Sequence, residues 1–216
     1  CWINVAGQNG VEHHTVSGVE IFNPGDTDDR RALVAAISEA DEIATALPSV
    51  SFYASGGDQS VAALLAEGIK MRLARGCRER CIIYAAENHN HAAEILWQAV
   101  APLLGELSEK AQNHAQCLNT VIGKMSGVVG DEAQIKEQGL KRIAGDAGRC
   151  FLVEEFNRIL ISKIQWPDFR RGIAVFEEKN DLLPFEEAKL YGHNAIHALI
   201  GYLARRKGVR FMSDVR

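Results

Sequence analysis

A lysine, an asparagine and a histidine lie close together in the stretch KLYGHNAIHALIGYL, residues 189–203. At about 100° per residue of an α-helix, His197 lies roughly 80° from Lys189 and Asn194 roughly 140° from it. The three side chains therefore fan over one side of a predicted helix. A lysine pressed against apolar neighbours loses hydration, which lowers its pKa and lets it act as a base. The alternatives are a solvated surface lysine and a histidine satisfied in a core.

A second polar group follows the near-continuous apolar run RCIIYAAEN, residues 80–88. Such a run is typical of a strand in a parallel sheet that is covered on both faces. Ligands of open α/β sheets bind at the carboxyl ends of the strands, which is where Asn88 lies. Its amide can donate to and accept from a substrate oxygen. Judged alone, Asn88 is better explained as the cap of a helix N-terminus, and the two roles are compatible.

The other segments predict elements that position these residues. We expect strands over residues 15–22, 41–47, 80–88 and 116–125, and helices over 26–40, 58–76, where Gly76 is the stop, and 91–104. This alternation predicts an α/β fold with a doubly wound, Rossmann-like sheet. Residues 130–148 are polar and Gly-rich and give only weak signals for a regular element. Residues 149–161 and 172–178 are strand candidates, and the pattern is helical from Leu183 to Lys207. We expect one domain over residues 1–179 and the beginning of a helical domain over 180–216.

Composition and charge restrict the class of protein. The chain has 216 residues, of which 47% are hydrophobic and 24% charged, and its net charge is −4. This composition is typical of a soluble globular protein. No basic stripe predicts nucleic-acid binding, and no apolar run reaches the roughly 18 residues of a membrane span. We recognise no signal peptide at the start, and Cys1 at the first position indicates a fragment or a processed piece. The cytoplasm is expected from the cysteines.

The cysteines favour reduced thiols. Cys1, Cys77, Cys81, Cys117 and Cys150 are odd in number and spread along the chain. Only Cys77 and Cys81 lie close together in sequence, and no second pair completes a tetrahedral zinc site. We therefore expect no structural metal.

The spacing Lys189, four residues, Asn194, two residues, His197 resembles the K-x4-N-x2-H signature of the polyol-specific long-chain dehydrogenases, the mannitol dehydrogenase and mannitol-1-phosphate 5-dehydrogenase family. Further stretches resemble this family in its own order along the chain. They are HHTVSGVEIF, ADEIATALPSV beside the family's cofactor, IIYAAENHNHAAEIL with its (C/A)-(D/E)-N segment, and FEEAKLYGHNAIHALIGYLA.

This resemblance implies a metal-independent hydride transfer between NAD or NADP and a polyol, a polyol phosphate or a sugar acid. Lys189 is implied as the general base, Asn88 and Asn194 as the groups that hold the reacting oxygen, and His197 as the residue that orients the substrate. The resemblance also assigns the cofactor side to Thr45, Ala46 and Glu87.

No G-x-G-x-x-G turn is recognised, because GQNG (Gly7–Gly10) has another spacing and follows no convincing strand. We therefore expect the first strand and the Gly-rich turn of the nucleotide site to be absent.

Two other functions fit the sequence less well. One is a hydrolase or lyase with a metal bound by His193 and His197, which are spaced i, i+4, although no H-E-x-x-H motif accompanies them. The other is a non-catalytic binding or regulatory protein that keeps the fold without the cofactor site. The oligomeric state is left open.

Overall fold

The computed structural model describes residues 1–76, 80–124, 126–145, 147–155 and 158–209. Cys77 of the cysteine pair lies outside the described residues. The described strands are β1 (Trp2–Gly7), β2 (Gly10–Thr15), β3 (Glu42–Thr45), β4 (Cys81–Ala85), β5 (Ala115–Val121), β6 (Ser126–Val129), β7 (Cys150–Glu154), β8 (Ile159–Ser162) and β9 (Phe176–Lys179). The α-helices are α1 (Thr27–Glu39), α2 (Val61–Ala74), α3 (Ala92–Leu104), α4 (Ser108–Ala111), α5 (Glu132–Glu137), α6 (Leu183–Glu187) and α7 (Ala195–Arg206), and a π-helix (Ala188–Asn194) joins α6 to α7.

The larger sheet has the strand order β3-β4-β5-β8-β9. β3, β4 and β5 are parallel, β8 runs antiparallel to β5, and β9 is parallel to β8. All five residues of β4 are buried, as the apolar run predicted. α2 and α3 cover one face around Ile83, whereas Ile164, Trp166 and Phe169 cover the other around Ile82. The predicted α/β fold is thereby confirmed, with the carboxyl ends of three parallel strands at one edge.

The helices begin and end where capping residues predict. The Asp26 carboxylate accepts from the backbone N–H groups of Asp28 and Asp29 and thus caps α1. The Ser60 hydroxyl caps α2 through the N–H of Ala63. Gly76 follows α2 with φ +65°, a left-handed conformation that glycine adopts without strain. These helices confirm the predicted segments, and they fix the parallel strands from one side.

A smaller sheet was not predicted. Its strand order is β2-β1-β7-β6, and β1 and β2 form an antiparallel hairpin. The GQNG stretch is the turn of this hairpin, so the expectation that no strand precedes it is wrong. Asn4, at the centre of β1, is fully buried and bonds through its amide to the backbone of Lys141 and Phe151. A buried asparagine breaks the apolar alternation by which a strand is recognised.

Three further predictions need correction. Residues 16–22 form no strand, because Gly18 turns the chain at φ +70° and Ile21 stays 90% exposed with no sheet to cover it. The single strand predicted over 149–161 is two strands, β7 and β8, which lie in different sheets. Residues 130–148 contain a capped helix, α5, whose N-terminus binds the Asp131 carboxylate.

The last described segment is helical, as predicted from Leu183 to Lys207, through α6, the π-helix and α7. The division into domains at residues 179 and 180 stays a prediction. Cys1, Cys81, Cys117 and Cys150 are free thiols in the structure, and the reduced state of the cysteines stays a prediction. Among the helices of the described ranges, none is long and apolar enough to cross a membrane.

Candidate active site

A cleft opens at the carboxyl ends of β4 and β5, the edge where α/β sheets bind ligands. Its walls are the loop after β4 (residues 86–90), the end of β5 (residues 120–122) and the helical segment that begins at α6. From that segment Glu186, Lys189, Leu190 and Asn194 face the cleft. The empty volume is about 450 Å³ and is open to solvent.

A hydrogen bond across this cleft joins two of the predicted residues. Lys189 Nζ donates to Asn88 Oδ1 at 2.9 Å, although the two residues are 101 positions apart in sequence. Lys189 is half-buried, and burial lowers its pKa because the ammonium form loses hydration. Lys189 is thus partly buried and bonded within the cleft, and its role as a base stays a prediction.

The π-helix brings Asn194 to the same side as Lys189. Its hydrogen bonds run from residue i to residue i+5, which is the spacing between Lys189 and Asn194. The two side chains therefore lie nearly above each other along the helix. The roughly 140° separation expected for an α-helix is wrong, because the helix is wider at this point.

His197 lies elsewhere. It is exposed on α7, does not line the cleft, and its ring centroid is 4.1 Å from that of His193. The structure thus brings Lys189, Asn88 and Asn194 together and leaves His197 outside this group. Its role in orienting a substrate stays a prediction.

Of the residues assigned to the cofactor side, Glu87 lines the cleft, whereas Thr45 and Ala46 lie beside the end of β3. The Glu87 carboxylate accepts from the Thr45 hydroxyl at 2.9 Å, from the Leu47 N–H at 2.8 Å and from the Tyr53 hydroxyl. Ala46 is exposed, and with Thr45 it borders a mostly apolar cavity beside the end of β3. The assignment of these residues to a cofactor stays a prediction.

Glu186 is a site residue that the sequence analysis missed. It is only 8% exposed and lines the cleft with Lys189. Burial raises the pKa of its carboxyl, nearby Glu94 and Asp181 raise it further, and His91 acts in the opposite direction. The sequence offers no signal that separates Glu186 from the neighbouring Glu187, which is exposed. Only the tertiary packing of α6 distinguishes the two carboxylates.

Metal ligands are not assembled in the part of the chain that the structure describes. No group of three or more histidine, cysteine, aspartate or glutamate side chains there is arranged to hold a metal ion. His193 and His197 are neighbours, but among the described residues no third ligand joins them.

Comparison with known proteins shows what kind of chain carries this cleft. No protein-family model matches the sequence. It is 25% identical over 210 residues to mannitol-1-phosphate 5-dehydrogenase of Lactiplantibacillus plantarum (strain ATCC BAA-793 / NCIMB 8826 / WCFS1), covering 96% of this chain and 48% of the relative. It is 27% identical over 208 residues to the enzyme of the same name from Streptococcus pneumoniae (strain Hungary19A-6), covering 94% of this chain and 48% of the relative. The chain spans about half the length of these relatives.

Solved structures give the same result for the fold. The Pseudomonas fluorescens mannitol 2-dehydrogenase ternary complex with NAD and D-mannitol superposes with a TM-score of 0.70 and 17% identity, covering 97% of this chain and 48% of that one. A substrate-free D-sorbitol dehydrogenase superposes with a TM-score of 0.59 and 14% identity, over 77% of this chain and 39% of that one. The fold is thus that of a Rossmann-like α/β protein. In sequence and in fold the chain resembles the mannitol dehydrogenases, which confirms the resemblance expected from its motifs.

Proposed function

We propose that the whole protein is an oxidoreductase that transfers a hydride between NAD or NADP and a polyol or polyol-derived substrate. The observation that carries this proposal is the bond between Lys189 Nζ and Asn88 Oδ1 in a cleft at the carboxyl ends of parallel strands. The relatives named as mannitol-1-phosphate 5-dehydrogenases and the mannitol 2-dehydrogenase complexed with NAD and D-mannitol support the substrate class and the cofactor.

In the proposed reaction, Lys189 accepts the proton of the substrate hydroxyl. The amine must be neutral to do so, and its partial burial favours the neutral form by lowering the pKa. A base of lowered pKa beside amide donors supplies what an alkoxide-like oxygen requires without a metal ion. The proposal is therefore a metal-independent reaction with a lysine base.

The two asparagines hold the reacting oxygen in this proposal. Asn88 Oδ1 is occupied by the lysine, so its Nδ2 group is the part of the amide that is left to donate to a substrate. Asn194 faces the same cleft from the π-helix. Two amide donors aimed at one oxygen stabilise the negative charge that develops as the proton leaves.

The residues near β3 fit the reactive end of a dinucleotide better than its pyrophosphate. The cavity beside Thr45, Ala46 and Leu47 is lined mostly by apolar side chains, which suits a planar ring. The GQNG stretch instead forms a hairpin turn and leads into no helix, so it does not provide a phosphate-binding helix N-terminus. When bound, the nicotinamide supplies the hydride acceptor for alcohol oxidation. Thr45 and Ala46 would contact it mainly through the backbone, and Glu87 would support them from behind.

The direct test uses the whole protein with NAD and NADP against mannitol, sorbitol and their phosphates, following the absorbance of the reduced nicotinamide. We expect cofactor reduction with at least one of these substrates. We also expect dialysis against a chelator to leave the rate unchanged. Loss of the rate on chelation with recovery on adding zinc would contradict the metal-independent reaction, and no reduction with any polyol would contradict the activity itself.

A further inference from the structure

Glu87 is a buried carboxylate that the proposed reaction does not use. It is 4% exposed and lies one residue before Asn88. Oε1 accepts from the Leu47 N–H, and Oε2 accepts from the hydroxyls of Thr45 and Tyr53. Both oxygens are therefore satisfied by donors of the chain itself, which is the condition under which a buried carboxylate is tolerated.

The three donors come from the end of β3 and from the segment that follows it. Thr45 ends β3, and Leu47 and Tyr53 belong to the segment that follows it, residues 46–53. The N–H of Ala86 donates to the Thr45 carbonyl at 3.1 Å, so the strand pairing continues one residue beyond β4. Glu87 thus ties the end of β4 to the segment 45–53 at the position where Asn88 leaves the sheet.

We propose that Glu87 is a positioning residue, whose carboxylate holds the segment 45–53 and the backbone that presents Asn88 to Lys189 as one unit. This inference deepens the proposed function, because it links the segment assigned to the cofactor with the base. The inference rests on the proposed function. The linkage between the segment 45–53 and Asn88 can nevertheless be measured without any substrate.

The energetics favour a tight linkage. Hydrogen bonds to an ionised acceptor are about twice as strong as neutral ones, and a buried donor that loses its acceptor pays the cost of desolvation. Burial and the bond to Glu87 raise the pKa of Tyr53 above its usual range, so its hydroxyl stays a donor at any pH of interest. In Glu87→Gln the amide oxygen can keep the Leu47 N–H, whereas the N–H₂ group can only donate to the hydroxyls of Thr45 and Tyr53. The bonds to an ionised acceptor are then replaced by weaker neutral ones, and the loop that carries Asn88 is held less tightly.

The test is the pH dependence of Lys189 acylation in the whole protein, followed peptide by peptide with mass spectrometry. The titratable groups that line the cleft with Lys189 are Glu87 and His89 from the loop after β4 and Glu186 from α6. In the wild type we expect the Lys189 midpoint to lie below that of the exposed Lys70. In Glu87→Gln we expect it to rise by about half a unit or more, because the loosened loop exposes the amine to water and burial is what lowers its pKa. Loss of the Asn88 acceptor and of the Glu87 charge would act in the opposite direction, so a rise reports hydration of the amine.

A matched control separates positioning from general destabilisation. Glu42, at the opposite end of β3, accepts from the Tyr84 hydroxyl at 2.6 Å and from the Gly172 N–H at 2.5 Å. Glu42→Gln therefore removes a carboxylate with the same kinds of donors, a tyrosine hydroxyl and a backbone N–H. We expect it to lower thermal stability and to leave the Lys189 midpoint unchanged.

A second pair of variants decides the matter if Glu87→Gln fails to fold. Tyr53→Phe removes one donor to Glu87, and Tyr84→Phe removes the corresponding donor to Glu42. Both tyrosine side chains are 1% exposed, so the packing losses are comparable. We expect a smaller rise of the Lys189 midpoint in Tyr53→Phe and none in Tyr84→Phe.

An unchanged Lys189 midpoint in both Glu87→Gln and Tyr53→Phe would overturn the proposal, as would equal shifts in the Glu42 and Tyr84 controls. The acylation measurement uses neither cofactor nor polyol. If the protein shows no dehydrogenase activity, the acylation result can therefore still be interpreted. If Glu87 does not position Asn88, the proposed dehydrogenase activity is not thereby contradicted.

Discussion

The cleft is lined by three carboxamides, two carboxyl groups and one amine, namely those of Asn88, Asn90, Asn194, Glu87, Glu186 and Lys189. Lys189 and Asn88 depend on each other, because the amine fixes which end of the amide is free. Glu186 differs in kind, because its carboxyl is buried and no hydrogen bond to its side chain is described. A buried group of this sort makes stability depend on pH.

Glu186→Gln should stabilise the protein at alkaline pH. The folded-state pKa of Glu186 is raised, so its contribution is fully present below the unfolded value of about 4.3 and is lost as pH rises through the folded value. A neutral glutamine avoids this loss. We expect the melting temperature of Glu186→Gln to exceed that of the wild type at pH 8, and the difference to vanish near pH 4. Glu187→Gln, at the exposed neighbouring position, should show no such trend, and an equal trend there would contradict the argument.

His197→Ala should weaken substrate binding and leave the proton transfer intact. If His197 orients the substrate, its loss should raise KM about tenfold, equivalent to about 1.4 kcal/mol. The rise of kcat with pH, which we expect from the loss of a proton by Lys189, should persist because Lys189 is unchanged. His193→Ala removes the neighbouring ring and is the matched control. Equal effects of the two substitutions would argue against a specific role for His197.

Among the secondary-structure elements, the π-helix is the one that places Lys189 and Asn194 on the same side, facing the cleft. Insertion of one alanine after the exposed Tyr191 should place Lys189 and Asn194 six positions apart, so that neither an i→i+4 nor an i→i+5 pattern keeps them on one side of the helix. Because misplacement by about 1 Å costs about 10²-fold, we expect kcat to fall by at least that factor. Circular dichroism should show nearly unchanged helix content. As the control, Tyr191→Ala keeps the register and should retain most of the activity.

The elements with a regular apolar period are the ones that the sequence predicts. β4 is an unbroken apolar run, and α2 has a capping serine and a terminal glycine, so both follow from local rules. β1 was missed because its buried residue is Asn4, whose bonds come from segments far away in sequence. The π-helix has no sequence signature of this kind. The identity of Lys189, Asn88 and Asn194 followed from a resemblance, whereas Glu186 required the packing of α6.

For the molecule as a whole, we expect the described chain to offer contacts to the nicotinamide end of a dinucleotide and none to its pyrophosphate. The GQNG stretch is a hairpin turn in the smaller sheet, and a pyrophosphate needs backbone N–H groups at the start of a helix. We therefore expect the 216-residue chain by itself to bind NAD or NADP weakly or not at all in calorimetry. Micromolar affinity of this chain would contradict that expectation.

The proposed mechanism requires Lys189 as the base, and the pH profile of polyol oxidation by the whole protein tests that role most directly. In the wild type, kcat should rise with pH through one apparent pKa below the free-lysine value of about 10.4, because the amine must be neutral to accept a proton. Lys189→Ala should lower kcat by about 10²–10⁴-fold and flatten that limb, whereas Lys110→Ala, on exposed α4, should change neither. A near wild-type kcat with an unchanged limb in Lys189→Ala would show that the chain shares the fold of the mannitol dehydrogenases without the mechanism proposed here.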